Sequence, residues 1–480
     1  MSEQKFEAVI GLEVHIQLNT KSKAFCGDDT TFGSEPNTQV GVVSLGHPGV
    51  LPKANAQQIA HAVKLGLALN CEINPRNTFD RKNYFYADLP KGYQITQDRA
   101  PICIGGELPI KVDDQWRKIK IHHIHMEEDA GKSIHNLDPK NSLIDLNRAG
   151  VPLLELVTEP DLRSAQEVDA FMSGMRQLVR YLEVSDGNME QGSMRCDVNV
   201  SIRPVGADYL MDRCEIKNVN SMRYARQAIA YELKRQQQIV ESGGKVKQQT
   251  LNFDPATGVT APLREKEDAH DYRYFPEPDL PPVVLADDYV QAIKAKLPAL
   301  PWALYHQFKN EYGRSDYEAG LLTNDAPTAL AYQQLCMQTS NYKAASNLML
   351  NKILPYCQEK GIKAVDFPIA NTQLAAFIQL IEDGKVSNTI AYQRLFPALL
   401  EDSNIPPIEL AERMNLIQSS DSDFLETIAQ EVLAAFPEKV ATYKKGKKGL
   451  IGFFMGEVMK RSKGKADPKA ANALLRKLLS

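Results

Sequence analysis

The strongest constraint on the fold is a change in hydrophobic pattern part-way along the 480-residue chain. Before about residue 280, short β-branched runs alternate with Gly, Pro and Asn turns, which is typical of strands. The proline-rich segment 275–282 then interrupts the chain as a stiff, extended joint. Beyond it, almost every segment has the period of an amphipathic helix. The pattern therefore predicts an α+β region followed by helical regions.

The clearest local signals lie in the first region. The segments 8–18 and 195–203 alternate apolar and polar residues as strands do, whereas 54–68, 164–182 and 222–242 have helical periodicity. Ser164 is a predicted N-cap, and the pair Gly243-Gly244 a predicted helix stop. The sequence Asn404-Ile-Pro-Pro407 forms a second break, and the helical segments after it carry a different charge. We therefore expect three domains, 1–285, 286–406 and 407–480.

Composition excludes several classes of protein. The balance of 56 Lys and Arg against 60 Asp and Glu gives a net charge of −4, so any nucleic-acid contact must come from a local patch. No run approaches the ~20 apolar residues of a membrane span, and the acidic N-terminus argues against a targeting peptide. The 7 cysteines are scattered, without a C-x-x-C pair. These features predict a protein of a reducing compartment, the cytoplasm.

Positive charge collects near the C-terminus. Residues 443–480 hold eleven Lys and Arg against two acids, around an apolar helix face at 450–459. Most runs of charged residues simply form a solvated surface. So high a density of positive charge in an acidic protein instead favours contact with a phosphate backbone. The expected tRNA-binding residues are Lys444, Lys445, Lys447, Lys448, Lys460, Arg461, Lys463 and Lys465.

Acids and histidines collect in the first region. Glu13 and His15 stand two apart on a predicted strand, so both side chains leave the same face. A second cluster spans 122–129, and Asp197, Asn199 and Glu215 lie on later strands. Carboxylates with an occasional imidazole suit hard cations such as Mg²⁺ or Mn²⁺, which carry nucleotide phosphates. Taken singly, each His could be a buried ring and each acid a surface group.

Familiar nucleotide and nucleophile motifs are missing. The run Asp129-Ala-Gly-Lys-Ser133 resembles the end of a P-loop, but Met126 stands where the first glycine is required. No G-x-G-x-x-G follows a strand, and no G-x-S-x-G or cysteine elbow is present. The segment 80–91 interleaves cations with three consecutive aromatics, which fits either a base-stacking platform or a strand core.

Seven long motifs, in order, carry a family resemblance. They are Ile10-Gly-Leu-Glu-Val-His15, Phe79-Asp-Arg-Lys-Asn-Tyr-Phe-Tyr86, His125-Met-Glu-Glu-Asp-Ala-Gly-Lys132, the run 143–155, Ser185-Asp-Gly-Asn-Met-Glu190, Gly192-Ser-Met-Arg-Cys-Asp-Val-Asn199 and the run 271–279. With these motifs the chain resembles the GatB family, the B subunits of the aspartyl/glutamyl-tRNA amidotransferases, essentially from end to end. The resemblance implies an α+β fold. An N-terminal mixed, largely antiparallel β cradle domain with helices precedes an all-α helical domain and a small helical tail domain.

The resemblance also implies a reaction. ATP phosphorylates the side-chain carboxylate of Glu-tRNA(Gln) or Asp-tRNA(Asn), and ammonia then displaces the phosphate to give the amide. The ammonia comes from glutamine through a separate glutaminase A subunit, and a small C subunit completes the heterotrimer. The implied cofactors are ATP and Mg²⁺. A noncatalytic tRNA-binding or assembly subunit, and a free-standing ATP-dependent ligase, are the alternatives.

Roles for individual residues follow from the same resemblance. Glu13, His15, Glu128 and Glu215 resemble the metal and phosphate ligands, with Glu127 as a further candidate. Lys82 and Lys91 resemble members of the ammonia path, with Glu128 near its exit. Arg148 and Arg195 are expected to contact phosphate or the aminoacyl ester.

The sequence departs from the family pattern in two places. Many members carry a C-x-C and C-x-x-C zinc site early in the chain, where only Cys26 remains here, so we expect no bound zinc. Gln249 and Leu251 stand where the family more often has Glu and Arg, which leaves the role of that segment open.

Overall fold

The computed structural model describes residues 5–135, 137–138, 140–217, 219, 221–264, 272–418, 422–462 and 465–480. The chain forms two compact units, 1–302 and 303–480. The first is rich in strands and the second is helical, as the change in hydrophobic pattern predicts. The finer division into three domains, with limits near 285 and 406, stays a prediction. Within the described ranges, no helix combines the length and apolarity needed to cross a bilayer.

Most strands are short, and the three longest are β1, β8 and β12. In chain order, β1 to β17 are Phe6–Gln17, Glu72–Ile73, Arg76–Asn77, Asp80–Asn83, Tyr93–Thr96, Cys103–Ile104, Glu107–Val112, Gln115–Glu128, Lys132–Ile134, Leu143–Asp145, Pro152–Thr158, Met194–Pro204, Cys214–Lys217, Gln249–Asp254, Val259–Arg264, Phe275–Pro276 and Val283–Val284.

The helices are sparse in the first unit and continuous in the second. In chain order, α1 to α17 are Ala56–Ala68, Ala165–Tyr181, Met222–Glu241, Asp287–Lys294, Pro301–Asn310, Asp316–Leu322, Ala326–Cys336, Tyr342–Leu348, Leu354–Lys360, Asn371–Glu382, Asn388–Ile390, Phe396–Glu401, Pro407–Arg413, Ser422–Ala435, Pro437–Lys444, Ile451–Arg461 and Pro468–Leu479. Short 3₁₀ turns occupy Ala364–Asp366 and Lys448–Leu450.

A ten-stranded sheet organises the first unit. Its order is β15-β14-β13-β12-β1-β11-β8-β6-β2, and β7 also pairs with β8. The pairing of β13 with β14 is parallel, whereas the other described pairings in this sheet are antiparallel. The expected α+β class with a mixed, largely antiparallel sheet is therefore confirmed.

The central strand β1 has one apolar and one polar face. Ile10, Val14 and Ile16 are completely buried in a core shared with α1, α2 and α3. The alternate residues Glu13 and His15 point to the opposite face, because successive strand residues leave opposite sides of the sheet. The helices thus cover one face, and the other face is left for polar side chains.

Two serines and a glycine define helix ends in the first unit, and Ser164 and Gly243 stand at predicted positions. The hydroxyl of Ser164 accepts a hydrogen bond from the amide of Glu167 at 3.1 Å, which confirms the predicted N-cap of α2. Ser221 caps α3 in the same way through the amide of Tyr224. Gly243, with φ of +82°, follows α3 in the left-handed region that glycine tolerates.

Two helices of the second unit contain a π-helical segment that ends two residues before a proline. Met349–Ile353 links α8 to α9, which contains Pro355, and Ala391–Leu395 links α11 to α12, which contains Pro397. Proline lacks an amide hydrogen and its ring collides with the carbonyl four residues earlier in an α-helix. The wider π turn accommodates both effects without ending the helix.

Candidate active site

Five adjacent strands present polar residues on the face of the sheet that the helices leave uncovered. In the register of β1, His15 lies opposite Glu155 of β11, and Glu13 lies opposite Asp197 of β12. Glu155 in turn lies opposite His125 of β8. Residues far apart in the chain thereby form a continuous polar surface in the middle of the sheet.

The first group on this surface consists of His15, Glu127 and Glu155, whose ligand atoms lie within 4.8 Å of one another. The Nε2 atom of His15 is 3.2 Å from Oε2 of Glu155 and 3.9 Å from Oε1 of Glu127. Burial disfavours the charged imidazole, but the two carboxylates outweigh it and raise the pKa of His15 to about 9. Burial likewise opposes the charged form of Glu155, yet His125 and His15 hold its pKa well below the ordinary value.

The second group consists of Glu13, Asp197 and Glu215, whose ligand atoms also lie within 4.8 Å of one another. Burial, followed by the negative charge of Glu155, raises the pKa of Glu13. The Nζ atom of Lys217 lies 3.4 Å from Oδ2 of Asp197 and 3.2 Å from Oε1 of Glu215. A positive charge therefore already sits between two of the three carboxylates.

Two neutral side chains fix the orientation of the second group. The Nδ2 atom of Asn199 donates to Oε1 of Glu13 at 3.0 Å. The hydroxyl of Thr250, on β14, donates to Oε2 of Glu215 at 2.9 Å. The second oxygen of Glu13 is left for a cation, whereas the second oxygen of Glu215 contacts Lys217.

Two arginines converge on the buried carboxylate of Asp129. The Nη2 atom of Arg195 donates to Oδ2 of Asp129 at 2.9 Å, and the Nε atom of Arg148 lies 3.7 Å from the same oxygen. Arg148 also donates to the carbonyls of Ala130 and Gly131. The arginines predicted to contact phosphate or ester are thus brought together at the end of β8.

Lys91 and Glu128 form a buried ion pair. The Oε1 atom of Glu128 accepts a second hydrogen bond from the amide of Ile95 at 3.0 Å. Lys82 lies apart from this pair, with its Nζ atom 4.9 Å from the ring centroid of Tyr272. Burial opposes the charge on Lys82, but Glu127 and other groups raise its pKa, so its charge faces the first group.

Comparison with known proteins gives two family matches along the chain. Residues 8–291 match the GatB/GatE catalytic domain, and residues 331–479 match the GatB domain. A curated relative in Trichlorobacter lovleyi, named as the B subunit of aspartyl/glutamyl-tRNA(Asn/Gln) amidotransferase, is 48% identical over 476 residues, 99% of this chain and 100% of its own length. The chain belongs to the GatB family. Proteins of the same name in Geobacter sulfurreducens and Chlorobium chlorochromatii are each 47% identical, over 99% of both chains.

Both carboxylate groups lie in the region that matches the GatB/GatE catalytic domain. The four expected metal ligands, however, do not all lie in one group. His15 joins the first group, and Glu13 and Glu215 join the second. Glu128 belongs to neither, because it follows Glu127 directly in β8 and its side chain is held by Lys91. Of two adjacent acids, Glu127 is the one that reaches the polar face with His15.

Sequence reasoning did not assign a role to two residues of this polar surface, Glu155 and Lys217. Glu155 is a lone acid in the apolar run 153–157, and a charge in such a strand requires a partner or a function, so the pattern could have indicated it. Lys217 carries no such signal, because a lysine at the end of a short strand is ordinary.

The structure shows the contacts of the residues that differ from the GatB pattern. The Sγ atom of Cys26 lies 3.5 Å from the hydroxyl of Ser44, and among the described residues neither ligand group contains a cysteine. The expected absence of zinc stays a prediction. Gln249 and Leu251 both lie in β14, where Leu251 is buried in a small cluster with Cys214.

The basic residues of the second GatB match lie mostly at the surface. Lys463 lies outside the described residues, and Lys465 is half-buried. The exposed members of the predicted tRNA-binding set are Lys444, Lys445, Lys447, Lys448, Lys460 and Arg461. Beneath them, Phe454 and Leu475 belong to a separate apolar core of the last helices, so the charges are held on a folded module.

Proposed function

We propose that the chain is the B subunit of a tRNA-dependent amidotransferase, a glutamine-dependent carbon–nitrogen ligase of translation. The observation that carries the proposal is the pair of carboxylate groups on one face of the central sheet, within the part of the chain that matches the GatB/GatE catalytic domain. The relatives named above supply the substrate class, the aspartyl and glutamyl esters of tRNA(Asn) and tRNA(Gln).

The donor set suits Mg²⁺. Five of the six ligands in the two groups are carboxylates and the sixth is an imidazole, and oxygen donors are what hard divalent cations prefer. His15, Glu127 and Glu155 would hold one cation, and Glu13, Asp197 and Glu215 a second. Such cations offset the charge of nucleotide phosphates when they are bound.

In the first chemical step, an oxygen of the substrate's side-chain carboxylate bonds to the γ-phosphorus of ATP, and ADP leaves. Two anions must approach each other, so cationic side chains near the reacting atoms are required. Arg148, Arg195 and Lys82 supply them. The hydrogen bond to Asp129 holds the guanidinium of Arg195 in place.

In the second step, the nitrogen of ammonia attacks the acyl carbon, the C–N bond forms, and phosphate leaves. The attacking nitrogen must then lose a proton, which a carboxylate can accept. Glu128 is suited to this role because Lys91 and the amide of Ile95 hold it in place. Lys82, Lys91 and Glu128 would line the last part of the ammonia path.

The partners follow from the reaction. A glutaminase A subunit supplies ammonia, a small C subunit completes a heterotrimer, and the exposed lysines of 444–460 contact the tRNA body in the cytoplasm. ATP and Mg²⁺ are the expected cofactors.

The test uses the assembled complex with ATP, Mg²⁺ and Glu-tRNA(Gln) or Asp-tRNA(Asn). Glu155→Gln and Asp197→Asn should each abolish tRNA-dependent ADP formation and amide formation, with ammonium chloride as well as glutamine. Glu7→Gln is the matched control, because Glu7 lies on the same strand as Glu13 but pairs with Arg203. Full activity in both site variants would overturn the proposal and favour a noncatalytic tRNA-binding subunit.

A further inference from the structure

A buried polar network lies on the helix-covered side of the sheet. Its centre is Glu232 of α3, whose side chain has no exposed surface. The Nε and Nη2 atoms of Arg235 donate to the two carboxylate oxygens of Glu232 at 2.8 and 2.6 Å. The amide of Gln236 and the hydroxyl of Thr260, on β15, donate to the same carboxylate at 2.8 and 3.0 Å. These hydrogen bonds fix the position of the carboxylate.

The network contacts the two strands that carry the second carboxylate group. The Nε2 atom of Gln236 also donates to the carbonyl of Val200 in β12 at 3.0 Å, and Nη2 of Arg235 donates to Sγ of Cys214 in β13 at 3.5 Å. Val200 and Cys214 lie opposite each other in the strand register, directly beside Glu215. Because successive strand residues leave opposite faces, the network holds both strands from behind at the point where Glu215 leaves the front.

The strand β13, which presents Glu215, has few other contacts that fix its alignment. It is four residues long, and three of them pair with β12. Ile216 reaches the main core, whereas Cys214 packs with Val246 and Leu251 in a small separate cluster. The polar network therefore adds an alignment that apolar packing behind this short strand supplies only in part.

Stability alone does not account for this network. A buried ion pair adds little net stability, because removing both charges from water costs about as much as their attraction gains. Oε1 of Gln236 is also buried and has no hydrogen-bond partner within the described residues, which costs further free energy. Buried polar groups of this kind instead favour one arrangement of the elements that they join.

We propose that Glu232 and Arg235 are positioning residues for a divalent cation in the second carboxylate group, and that they act through β12 and β13 to align Asp197 with Glu215. The inference rests on the proposed function. Mg²⁺ demands ligand oxygens close to an ideal octahedral geometry, so a small shift of one strand against the other weakens its binding. Glu232 contacts no cation itself, because it lies behind the sheet and its oxygens already accept from Arg235, Gln236 and Thr260.

The first experiment compares two substitutions that change the charge in opposite directions. Glu232→Gln removes a negative charge, and Arg235→Met removes a positive one. If the pair acted only through its electric field, the first would weaken cation binding and the second would strengthen it. A positioning role predicts that both weaken Mn²⁺ binding by about tenfold or more, since Mn²⁺ prefers the same oxygen ligands as Mg²⁺. The signal of free Mn²⁺ in electron paramagnetic resonance, during titration of the assembled complex, measures the affinity.

Both substitutions are made in a Glu155→Gln parent, which disables the first group and leaves the second to bind Mn²⁺. Arg226→Met is the matched control, because Arg226 also lies in α3 but pairs with Asp169 of α2. The control should keep the affinity of the parent within about twofold. With Glu155 intact, Glu232→Gln should raise the Mg²⁺ concentration for half-maximal tRNA-dependent ADP formation about tenfold, while the rate at saturating Mg²⁺ stays within about twofold of wild type.

A double variant separates positioning from a general loss of stability. Glu232→Leu with Arg235→Met replaces the buried pair by apolar side chains of similar size, which should keep Tm close to that of the parent. The same change removes the contact with Cys214 and the acceptor that holds Gln236. We therefore expect weakened Mn²⁺ binding in a protein that is as stable as the parent.

The outcomes distinguish the positioning role from the proposed function. Stronger Mn²⁺ binding in Arg235→Met, or parental affinity in the stable double variant, would overturn the positioning role alone. It would also fail if wild type binds Mn²⁺ and the Glu155→Gln parent binds none, because the second group would then hold no cation. If the wild-type complex binds no Mn²⁺ and forms no ADP with aminoacylated tRNA, the proposed function itself fails.

Discussion

The guanidinium of Arg195 donates to a carboxylate oxygen of Asp129 at 2.9 Å, and Asp129 is only 5% exposed. Removing the arginine deletes the closest positive charge beside this buried carboxylate and leaves Arg148 and the side-chain amide of Gln17 as its partners. We therefore expect Arg195→Ala to lower the free energy of unfolding by about 1–3 kcal/mol, measured by urea titration at neutral pH. The control Arg180→Ala should change it by less than about 0.5 kcal/mol, because Arg180 is exposed and has no ion pair in the described part of the chain.

The contact between Arg195 and Asp129 also predicts how the free energy of unfolding depends on pH. Burial opposes the charge on Asp129, but Arg195 and Arg148 outweigh it and lower its pKa. The carboxylate therefore stabilises the fold above its ordinary pKa of about 3.9, and this contribution disappears as the pH falls through the lowered value. The difference in free energy of unfolding between wild type and Asp129→Asn should shrink as the pH is lowered from neutral to about 3. A constant difference would contradict the assignment.

Lys217 and a divalent cation are expected to compete for the second carboxylate group. Lys217→Met removes the positive charge beside Asp197 and Glu215, so repulsion between the carboxylates should lower Tm without metal. Added Mg²⁺ should then raise Tm more in the variant than in wild type, because it replaces the lost charge.

Two thermal unfolding scans of each protein measure this competition, one with excess chelator and one with excess Mg²⁺. Lys118→Met serves as the control, since Lys118 is exposed and pairs only with Glu107 in the described chain. An equal Mg²⁺ shift in wild type and Lys217→Met would argue against a cation in this group.

His123 is expected to make the fold sensitive to mild acid. Burial, followed by the charges of His125 and His122, lowers the pKa of His123 to about 4. Below its ordinary value of about 6.5, the unfolded chain therefore binds a proton that the folded chain does not, and stability falls until about pH 4. In His123→Gln, the free energy of unfolding should fall less between about pH 7 and pH 5 than in wild type. Exposed His47→Gln should behave as wild type.

The basic surface of the second unit predicts a salt-dependent contact with tRNA. Replacing the four lysines of 444–448 with Gln should weaken tRNA binding and lower the slope of log K against log salt by about 1 for each phosphate that is no longer neutralised. Filter binding at several salt concentrations measures both quantities. The matched control changes four exposed lysines of the first unit, Lys118, Lys120, Lys294 and Lys296. The same slope in both variants would contradict a specific role for the tail.

The sequence determined the elements of the site better than their arrangement. Alternation in β1 correctly placed Glu13 and His15 on one face, because a two-residue period is a local property. It could not show that His15 meets Glu155 while Glu13 meets Asp197, since those contacts depend on pairing between strands that are far apart in the chain. Local periodicity also did not reveal which of two adjacent acids, Glu127 or Glu128, turns toward the polar face.

Lys23 shows where sequence reasoning ends. It lies in a segment without periodicity, and a lysine in a loop is ordinarily exposed. It is buried, contacts Gln39 and Ser44 in one irregular segment, and adjoins Gly150, which is far from it in the chain. Such a position follows only from the folded structure.

The two-faced character of β1 has a consequence for how the chain reaches its native state. A slip of one residue against β11 or β12 would turn Ile10 and Val14 outward and push Glu13 and His15 into the core. Every pairing shifted by an odd number of residues therefore loses apolar burial and places charged side chains in the core. The alternation that places both carboxylate groups on one face therefore also favours the native strand register during folding.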